Sequence, residues 1–169
     1  FTDITDFHYL RGGHRNVTRD VAIDLDIQQL TAQYKSLMEV MEGIGFSQEE
    51  TDSMHAIIAG VLHLGNIAFD GEKGQPASVR EATSSSLERA GALLGILPTL
   101  SRNLISRDVV ARGEKISTQL TPEQAALARD ALAKAIFSAL FDFVISRINV
   151  TLKGAAGLDA PFIGLLDVF

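Results

Sequence analysis

The sequence predicts a mainly α fold with a small β component, and three observations support this class. Apolar residues recur at helical spacing over several segments between residues 26 and 153. Two shorter stretches, at 77–79 and 107–118, have the alternation and turn residues typical of strands. An apolar run at 161–169 has the composition of a buried strand. With 169 residues and 46% hydrophobic content, the chain can bury one ordinary core.

Composition and charge disfavour several classes of protein. The net charge is −6 and no long basic run is present, which disfavours a nucleic-acid-binding surface. The absence of cysteine excludes disulfides and thiolate metal sites. No run of about 18 apolar residues is present, so no membrane span is expected, and residues 1–10 lack the form of a signal peptide. We expect both ends to be cuts in a longer polypeptide, since no initiating Met is present and a buried-type strand closes the chain.

The longest helix is predicted at 121–153. Thr121 can cap it, Pro122 suits its first turn, and Gln124 completes a capping box with Thr121. Its apolar stripe recurs every fourth residue, at Leu132, Ile136, Leu140, Val144, Ile148 and Leu152. Such a helix would span about 45 Å at about 1.5 Å per residue. We expect it to be buried along much of its length.

The strand predicted at 161–169 ends on a charge. Residues 162–166 are apolar on both faces, as in the central strand of a covered sheet. Asp167 follows, and carboxylates at strand carboxyl ends commonly lie beside phosphate and Mg²⁺ in α/β folds. An aspartate at the end of a strand is also a common turn former or helix cap. The residue alone leaves both interpretations open.

A pair of helices is predicted at 26–64. Asp26 can cap the first helix, which ends at Gly43. Ser47 and Glu50 form a capping box at the start of the second. The short turn between the two helices predicts an αα-hairpin whose apolar faces are buried.

The segment after this pair is predicted to be a loop followed by two short helices. The loop at 68–86 is rich in Gly and Ser and contains a short strand at 77–79. The helices follow at 87–94 and 98–104. His63, just before the loop, has no ligand spacing with the other three histidines. A hydrogen bond from this side chain to the last-turn carbonyls is therefore expected instead of a metal site.

A hairpin is predicted at 107–118, with its turn at 111–114. Charged residues crowd this turn, namely Arg107, Asp108, Arg112, Glu114 and Lys115. By residue type alone, the segment is a solvated hairpin tip.

Several blocks of the sequence, taken together, carry a family resemblance. They are Phe-His-Tyr-Leu at 7–10, Ile-Gly-Phe-Ser at 44–47, Leu-His-Leu-Gly-Asn-Ile at 62–67, Arg-Asp-Ala-Leu-Ala-Lys at 129–134, and the run at 162–169. In order and spacing they resemble the stretch of the myosin motor domain between switch I and switch II. The resemblance covers essentially the whole chain.

The resemblance implies a fold and a set of site residues. The chain would be the helical upper 50-kDa subdomain of a P-loop-type α/β motor, with 1–20 as the loop after switch I. The strand at 161–169 would lead into switch II, where Asp167 would hold a water in the Mg²⁺ shell. The hairpin at 107–118 would be the cardiomyopathy loop, which contacts actin. Its actin-binding residues would be Arg107, Arg112, Glu114 and Lys115.

The implied activity is that of an actin-based motor driven by Mg-ATP, in the cytoplasm and on the cytoskeleton. Its partners would be filamentous actin and the remainder of the myosin head. Glu114 lies sixteen residues before Asp130, where myosins carry either an acidic residue or a phosphorylatable Ser or Thr. A fixed carboxylate there would supply the charge that other members obtain by phosphorylation.

No complete catalytic apparatus is encoded in this sequence. The phosphate-binding Gly-x-x-x-x-Gly-Lys-Ser/Thr signature is absent, as are Gly-x-Ser-x-Gly and His-Glu-x-x-His. We therefore expect the chain alone not to be catalytic. A helical protein–protein interaction module without nucleotide chemistry fits the composition and periodicity equally well. A GTPase-like switch protein also uses Asp-x-x-Gly, but the intervening helices and the missing Lys-bearing loop count against it.

Overall fold

The computed structural model describes residues 6–11, 27–111, 113–153 and 164. Helices dominate this part of the chain, which confirms the predicted mainly α class with a small β component. The helices are α1 (Ile27–Gly43), α2 (Gln48–Gly65), α3 (Ser84–Leu93), α4 (Leu97–Ile105) and α5 (Pro122–Lys153), with 3₁₀ turns at His8–Leu10 and Glu81–Thr83. The strands are β1 (Phe69–Asp70), β2 (Ser78–Val79), β3 (Ser106–Ala111) and β4 (Glu114–Gln119). Asp26 and, apart from Gly164, the predicted strand at 161–169 lie outside the described residues.

Both predicted capping boxes are confirmed. At the start of α2, the Ser47 hydroxyl accepts from Glu50 N at 3.1 Å, and the Glu50 carboxylate accepts from Ser47 N at 2.8 Å. At the start of α5, the Gln124 side chain accepts from Thr121 N at 3.0 Å, and the Thr121 hydroxyl accepts from Gln124 N at 3.4 Å. These reciprocal bonds satisfy amide groups that have no partner inside the helix, and they fix where each helix begins.

The strands form two separate antiparallel pairs. In the first pair, Phe69 of β1 lies opposite Val79 of β2. In the second, β3 and β4 pair from Ser106 opposite Gln119 to Ala111 opposite Glu114. The loop between β3 and β4 is therefore two residues long, and Gly113 within it has φ +85°, a conformation that favours glycine.

The core lies where the carboxyl end of α2 meets α4 and the first third of α5. Its fully buried large side chains are Leu64, Ile67, Leu100 and Leu104. Burying a side chain of this kind stabilises the fold by about 1.5–3 kcal/mol. Small residues on α5, Ala125 and Ala133, let that helix approach closely. The core therefore anchors the amino-terminal part of α5.

The rest of α5 is less buried than the sequence predicted. The residues of the predicted stripe from Leu132 to Ile148 are half-buried, which places the stripe on the inner side. However, several apolar residues of this half are largely exposed. They are Phe137 at 56% and Val150 at 62%, outside the predicted stripe, and Phe141 at 57% and Leu152 at 69%, which were predicted to widen and to end it. The expectation that α5 is buried along much of its length is therefore wrong for its carboxyl-terminal half, from Phe137 to Leu152. Among the described residues, α2 packs against one side of this half of α5, whereas the apolar residues of α5 occupy more than one side.

By length and composition alone, α5 is also apolar enough to cross a membrane, the one such helix in the part of the chain that the structure describes. Core helices of water-soluble proteins pass the same test. Here, Arg129 of α5 is buried and bonded to the carboxyl end of α2. The apolar window of α5 that meets this test is not buried within the described residues, and length and composition alone are weak evidence for a membrane span.

Candidate functional site

The β3–β4 hairpin projects from the end of α4 and is exposed to solvent. Every residue of β4 is exposed, and Val110 near the tip is 74% exposed. Val109 and Ile116, which face each other across the pair, are 43% and 50% exposed. Exposed apolar residues on a hairpin bordered by charges are typical of a binding surface.

The register divides the predicted site residues between the two faces of this hairpin. Residues that lie opposite each other in an antiparallel pair share a face, and the faces alternate along each strand. Arg107 therefore shares one face with Glu114, along with the apolar pair Val109 and Ile116. Lys115 lies on the opposite face. The structure thus places two of the predicted charges on one face of the hairpin, at its two ends, and the third on the other face.

Lys115 is already engaged by a carboxylate of its own hairpin. Its ammonium lies 2.9 Å from Oδ2 of Asp108, and Arg102 of α4 lies 3.6 Å from the same oxygen. The hydrogen bond from Lys115 is the main reason that the pKa of Asp108 is held below its usual value. This ion-pair cluster links the base of the hairpin to the end of α4.

A partly buried polar network joins three segments that are distant in the sequence. The Tyr9 hydroxyl donates to Oδ1 of Asp130 at 2.6 Å. Arg129, which is 8% exposed, donates to the same oxygen through Nε at 2.9 Å and to the Ile67 carbonyl through Nη1 at 2.6 Å. Residues 6–11, the end of α2 and the first third of α5 are thus held together by charge-assisted hydrogen bonds.

Asn66 and Gly65 hold the amino-terminal segment against this network. The Asn66 side chain donates to the Asp6 carbonyl at 2.9 Å and accepts from His8 N at 2.8 Å. The ring of Tyr9 lies so close to Gly65 that a Cβ there would come within 2.6 Å of ring carbons. Gly65 is therefore required by close approach of this ring.

A second polar contact fastens the other end of α2 to α5. Arg147 donates to Glu50 at 3.0 Å and to the Gly45 carbonyl at 2.8 Å. The Thr151 hydroxyl donates to the Ile44 carbonyl at 2.7 Å. The Arg147 hydrogen bond is the main reason that the pKa of Glu50 is lowered. The two helices are consequently fixed to each other near both ends of α2.

His63 does not make the hydrogen bond that was expected of it. Its Nδ1 is buried and has no hydrogen-bond partner among the described residues, and the ring lies edge-on to Phe7 with centroids 5.4 Å apart. Burial, followed by the charge of Arg89, lowers the pKa of this side chain. The amide of Asn66 satisfies the His63 carbonyl instead.

Comparison with known proteins assigns the whole chain to one family. The model of the family described as "Myosin head (motor domain)" matches residues 1–169. The chain belongs to the myosin head family. Myosin-K heavy chain of Dictyostelium discoideum is 34% identical over 172 residues, which is 99% of this chain and 18% of that protein. Myosin-14 of Arabidopsis thaliana is 32% identical over 166 residues, covering 96% of this chain and 10% of that protein. Unconventional myosin-Ic of Mus musculus is 34% identical over 144 residues, covering 82% of this chain and 13% of that protein.

This myosin chain spans less than a fifth of the length of these relatives. Of the predicted site residues, Arg112 and Asp167 lie outside the described residues. Among the described residues, no group of three or more His, Asp or Glu could hold a metal ion. No step of nucleotide chemistry is assigned to the described residues.

The sequence interpretation missed the polar contacts that fix this part of the myosin head. Tyr9 and Asp130 are 121 residues apart, and Arg147 and Glu50 are 97 residues apart. The available signal was the position of Arg129 and Arg147 beside the apolar stripe of α5, three residues from Leu132 and Val144. A charge in such a position is expected to find a partner, because an unpaired buried charge is costly.

Proposed function

We propose that this chain works as part of an actin-based motor driven by Mg-ATP. The observation that carries the proposal is the match of the myosin head family to all of residues 1–169. The chain would contribute an actin-binding loop, a helical scaffold and the start of switch II. It would not be catalytic alone, because its sequence contains no phosphate-binding loop. The intact motor would work in the cytoplasm, on the cytoskeleton.

The actin-binding loop in this proposal is the β3–β4 hairpin. Its apolar tip residues and its charged residues are both exposed, as a protein-binding surface requires. Arg107 and Glu114 would face actin together with Ile116. Lys115 would act chiefly by keeping the hairpin attached to α4 through Asp108. Arg112, in the two-residue turn, would be the remaining basic contact.

The scaffold in this proposal is the pair of α2 and α5. The two polar contacts at its ends hold α5 against α2 at fixed positions. The exposed apolar side of α5, including Phe137 and Phe141, would be covered by the remainder of the myosin head. Asp167 would be the switch II carboxylate beside the Mg²⁺ shell of the bound nucleotide. This arrangement favours the motor over an isolated helical interaction module, since family membership explains both the exposed hairpin and the uncovered helix.

The test is the actin-activated ATPase of the complete myosin head that contains this chain. The wild-type head should hydrolyse Mg-ATP and be stimulated by filamentous actin. Ile116→Asp places a charge on the exposed face that Arg107 and Glu114 share, and it should reduce actin stimulation several-fold while basal hydrolysis is unchanged. Val40→Asp is the matched control, since Val40 is 53% exposed on α1, away from the hairpin.

Two outcomes would separate the parts of this proposal. A correctly folded wild-type head without actin stimulation would overturn the motor function. Equal actin stimulation of the Ile116→Asp and Val40→Asp heads would leave the motor function standing and remove this face of the hairpin as its actin contact.

A further inference from the structure

A groove of about 680 Å³ lies between α2, α5 and the end of α3. Met54 and Ile57 of α2 form one wall, Ile136 and Leu140 of α5 form the other, and Leu93 closes one end. This volume falls within the roughly 300–1,000 Å³ that is usual for small-molecule sites. The interior is largely apolar, as such sites are.

The walls of the groove are held apart by the contacts at its two ends. Arg147 bonds to Glu50 at one end, and Arg129 bonds to the Ile67 carbonyl beyond the other. Because both helices are fixed in this way, the space between them is preformed and does not depend on an occupant. From Leu132 to Phe143, α5 lines it over about 16 Å at about 1.5 Å per residue.

Polar groups are confined to one end of the groove. They belong to Glu49, Glu50 and Ser53 of α2. Glu50 is neutralised by Arg147, whereas Glu49 makes no ion pair among the described residues. No Lys, Arg or His lines the groove. Its polar end is therefore negative, which favours a cation and disfavours a carboxylate or phosphate.

We propose that this groove binds an elongated apolar molecule that carries a protonated amine at one end. The apolar body lies between Ile57 and Ile136, and the ammonium group lies near Glu49 and the Ser53 hydroxyl. The chemical class is that of alkyl and arylalkyl amines. Fatty acids and other anionic amphiphiles of equal length should bind more weakly, because the carboxylate of Glu49 repels their charge. The site lies within the α2–α5 scaffold but shares no residue with the hairpin or with Asp167.

The experiment is a calorimetric titration of the complete myosin head with decylamine and with decanoate, each below the concentration at which it self-associates. Decylamine should bind at one site about tenfold more tightly than decanoate, since one carboxylate attracts the first and repels the second. Glu49→Gln should reduce this preference to about twofold or less. The readout does not involve ATP or actin, so its failure is distinct from failure of the motor proposal.

Groove-filling variants locate the binding site. Ala139→Phe places a ring in the groove and should abolish decylamine binding, whereas Ala135→Phe, on the same helix but outside the groove, should leave it unchanged. If Ala139→Phe does not fold, Ser53→Trp is the second groove-filling variant, because Ser53 lines the groove from α2 and is exposed. Equal binding of amine and carboxylate would overturn the proposal. Unchanged decylamine binding in a folded groove-filling variant would also overturn it. The absence of binding in the complete head would do the same and would indicate that another segment covers the groove.

Discussion

The Tyr9 hydroxyl donates a 2.6 Å hydrogen bond to Oδ1 of Asp130, which joins the amino-terminal segment to α5 across 121 residues of sequence. The same carboxylate oxygen is 2.7 Å from Nη2 of Arg129. Asp130 is therefore shared by a neutral donor and a cation, and Arg129 also bonds to the end of α2. In the proposed motor, this junction connects the segment after switch I to the helix that leads toward switch II.

Tyr9 should make stability depend on pH in the alkaline range. Burial, followed by the hydrogen bond to Asp130, raises the pKa of Tyr9 above its usual value of about 10. The folded state therefore holds this proton more tightly than the unfolded state. Its stabilising contribution is complete below about pH 10 and is lost as the pH rises further. The Tyr9→Phe head should melt below wild type near pH 8, and the difference should shrink above pH 10.

Tyr34→Phe is the control for this pH series, because the Tyr34 side chain is 50% exposed on α1. Thermal denaturation from pH 8 to pH 11 checks the prediction. A difference between wild type and Tyr9→Phe that stays constant across the series would contradict it.

Gly65→Ala should weaken the packing of residues 6–11 against the end of α2 and against α5. The added Cβ would come within 2.6 Å of the Tyr9 ring, which is held by Asp130 and cannot move freely. Overpacking of this kind costs about 1–3 kcal/mol, so amide exchange in residues 6–11 should accelerate about 5- to 150-fold. Gly43→Ala is the control, because nothing lies within 4 Å of its new Cβ. Hydrogen exchange by mass spectrometry on the complete head would measure both, and equal protection of residues 6–11 in the two variants would refute the prediction.

Glu50→Gln should weaken the contact between Glu50 of α2 and Arg147 of α5. The resulting loss of stability should depend on pH in the acidic range. The pKa of Glu50 is lowered by the hydrogen bond from Arg147 and then by the amide of Ser47. A lowered pKa stabilises the fold above the unfolded value of about 4.3, and this contribution is lost as the pH falls toward the folded value. The Glu50→Gln head should thus melt below wild type at pH 7 and approach it below about pH 4.3. Melting curves of Glu49→Gln provide the control, and a loss equal to that of Glu50→Gln would contradict the role of Arg147.

Local features of this fold could be predicted from the sequence because their signals lie within a few residues. The capping boxes at Ser47 and Thr121 each need two residues three apart, and the hairpin turn needs a glycine at one place in a two-residue loop. α3, however, begins at Ser84 instead of the predicted Leu87. The 3₁₀ turn at Glu81–Thr83 runs directly into it, and helix propensity carries no signal for such a junction.

Features that depend on distant segments could not be predicted in the same way. The periodicity of α5 identified its inner side, but the extent of its burial depends on which neighbours cover it. The role of Arg129 depends on a carbonyl 62 residues away, for which the sequence has no local signal. The hairpin charges Arg107 and Lys115 were predicted as one group, yet the register places them on opposite faces. Register is fixed by the turn length, which is decided only when the strands pair.

Asp167→Ala tests the one proposed nucleotide-site residue in this chain. If Asp167 holds a water of the Mg²⁺ shell, its contribution is largest once switch II closes around the nucleotide. Hydrolysis by the complete head should therefore fall far more than nucleotide affinity, since the lost interaction belongs to the transition state. Single-turnover kinetics and nucleotide titration measure the two quantities. Equal losses in both, or none in either, would exclude the assignment.

Glu114→Ala tests the fixed charge on the hairpin. Glu114 is exposed and lies on the same face as Arg107 and Ile116, so its carboxylate is available to a partner. An exposed turn charge changes folding stability by about 0.5 kcal/mol or less, so the melting temperature should stay near that of wild type. If the carboxylate supplies the charge that other myosins obtain by phosphorylation, actin-activated ATPase should fall while basal ATPase is unchanged.

Glu114→Asp keeps the charge and should retain most of the actin activation. Lowering the salt concentration should enlarge the difference between the alanine variant and wild type, because exposed charges are screened less at low ionic strength. The measurement is the actin dependence of ATPase at low and moderate salt for all three heads. Full actin activation of the alanine variant under both conditions would show that Glu114 is an ordinary solvated charge and that this motor is not regulated through it.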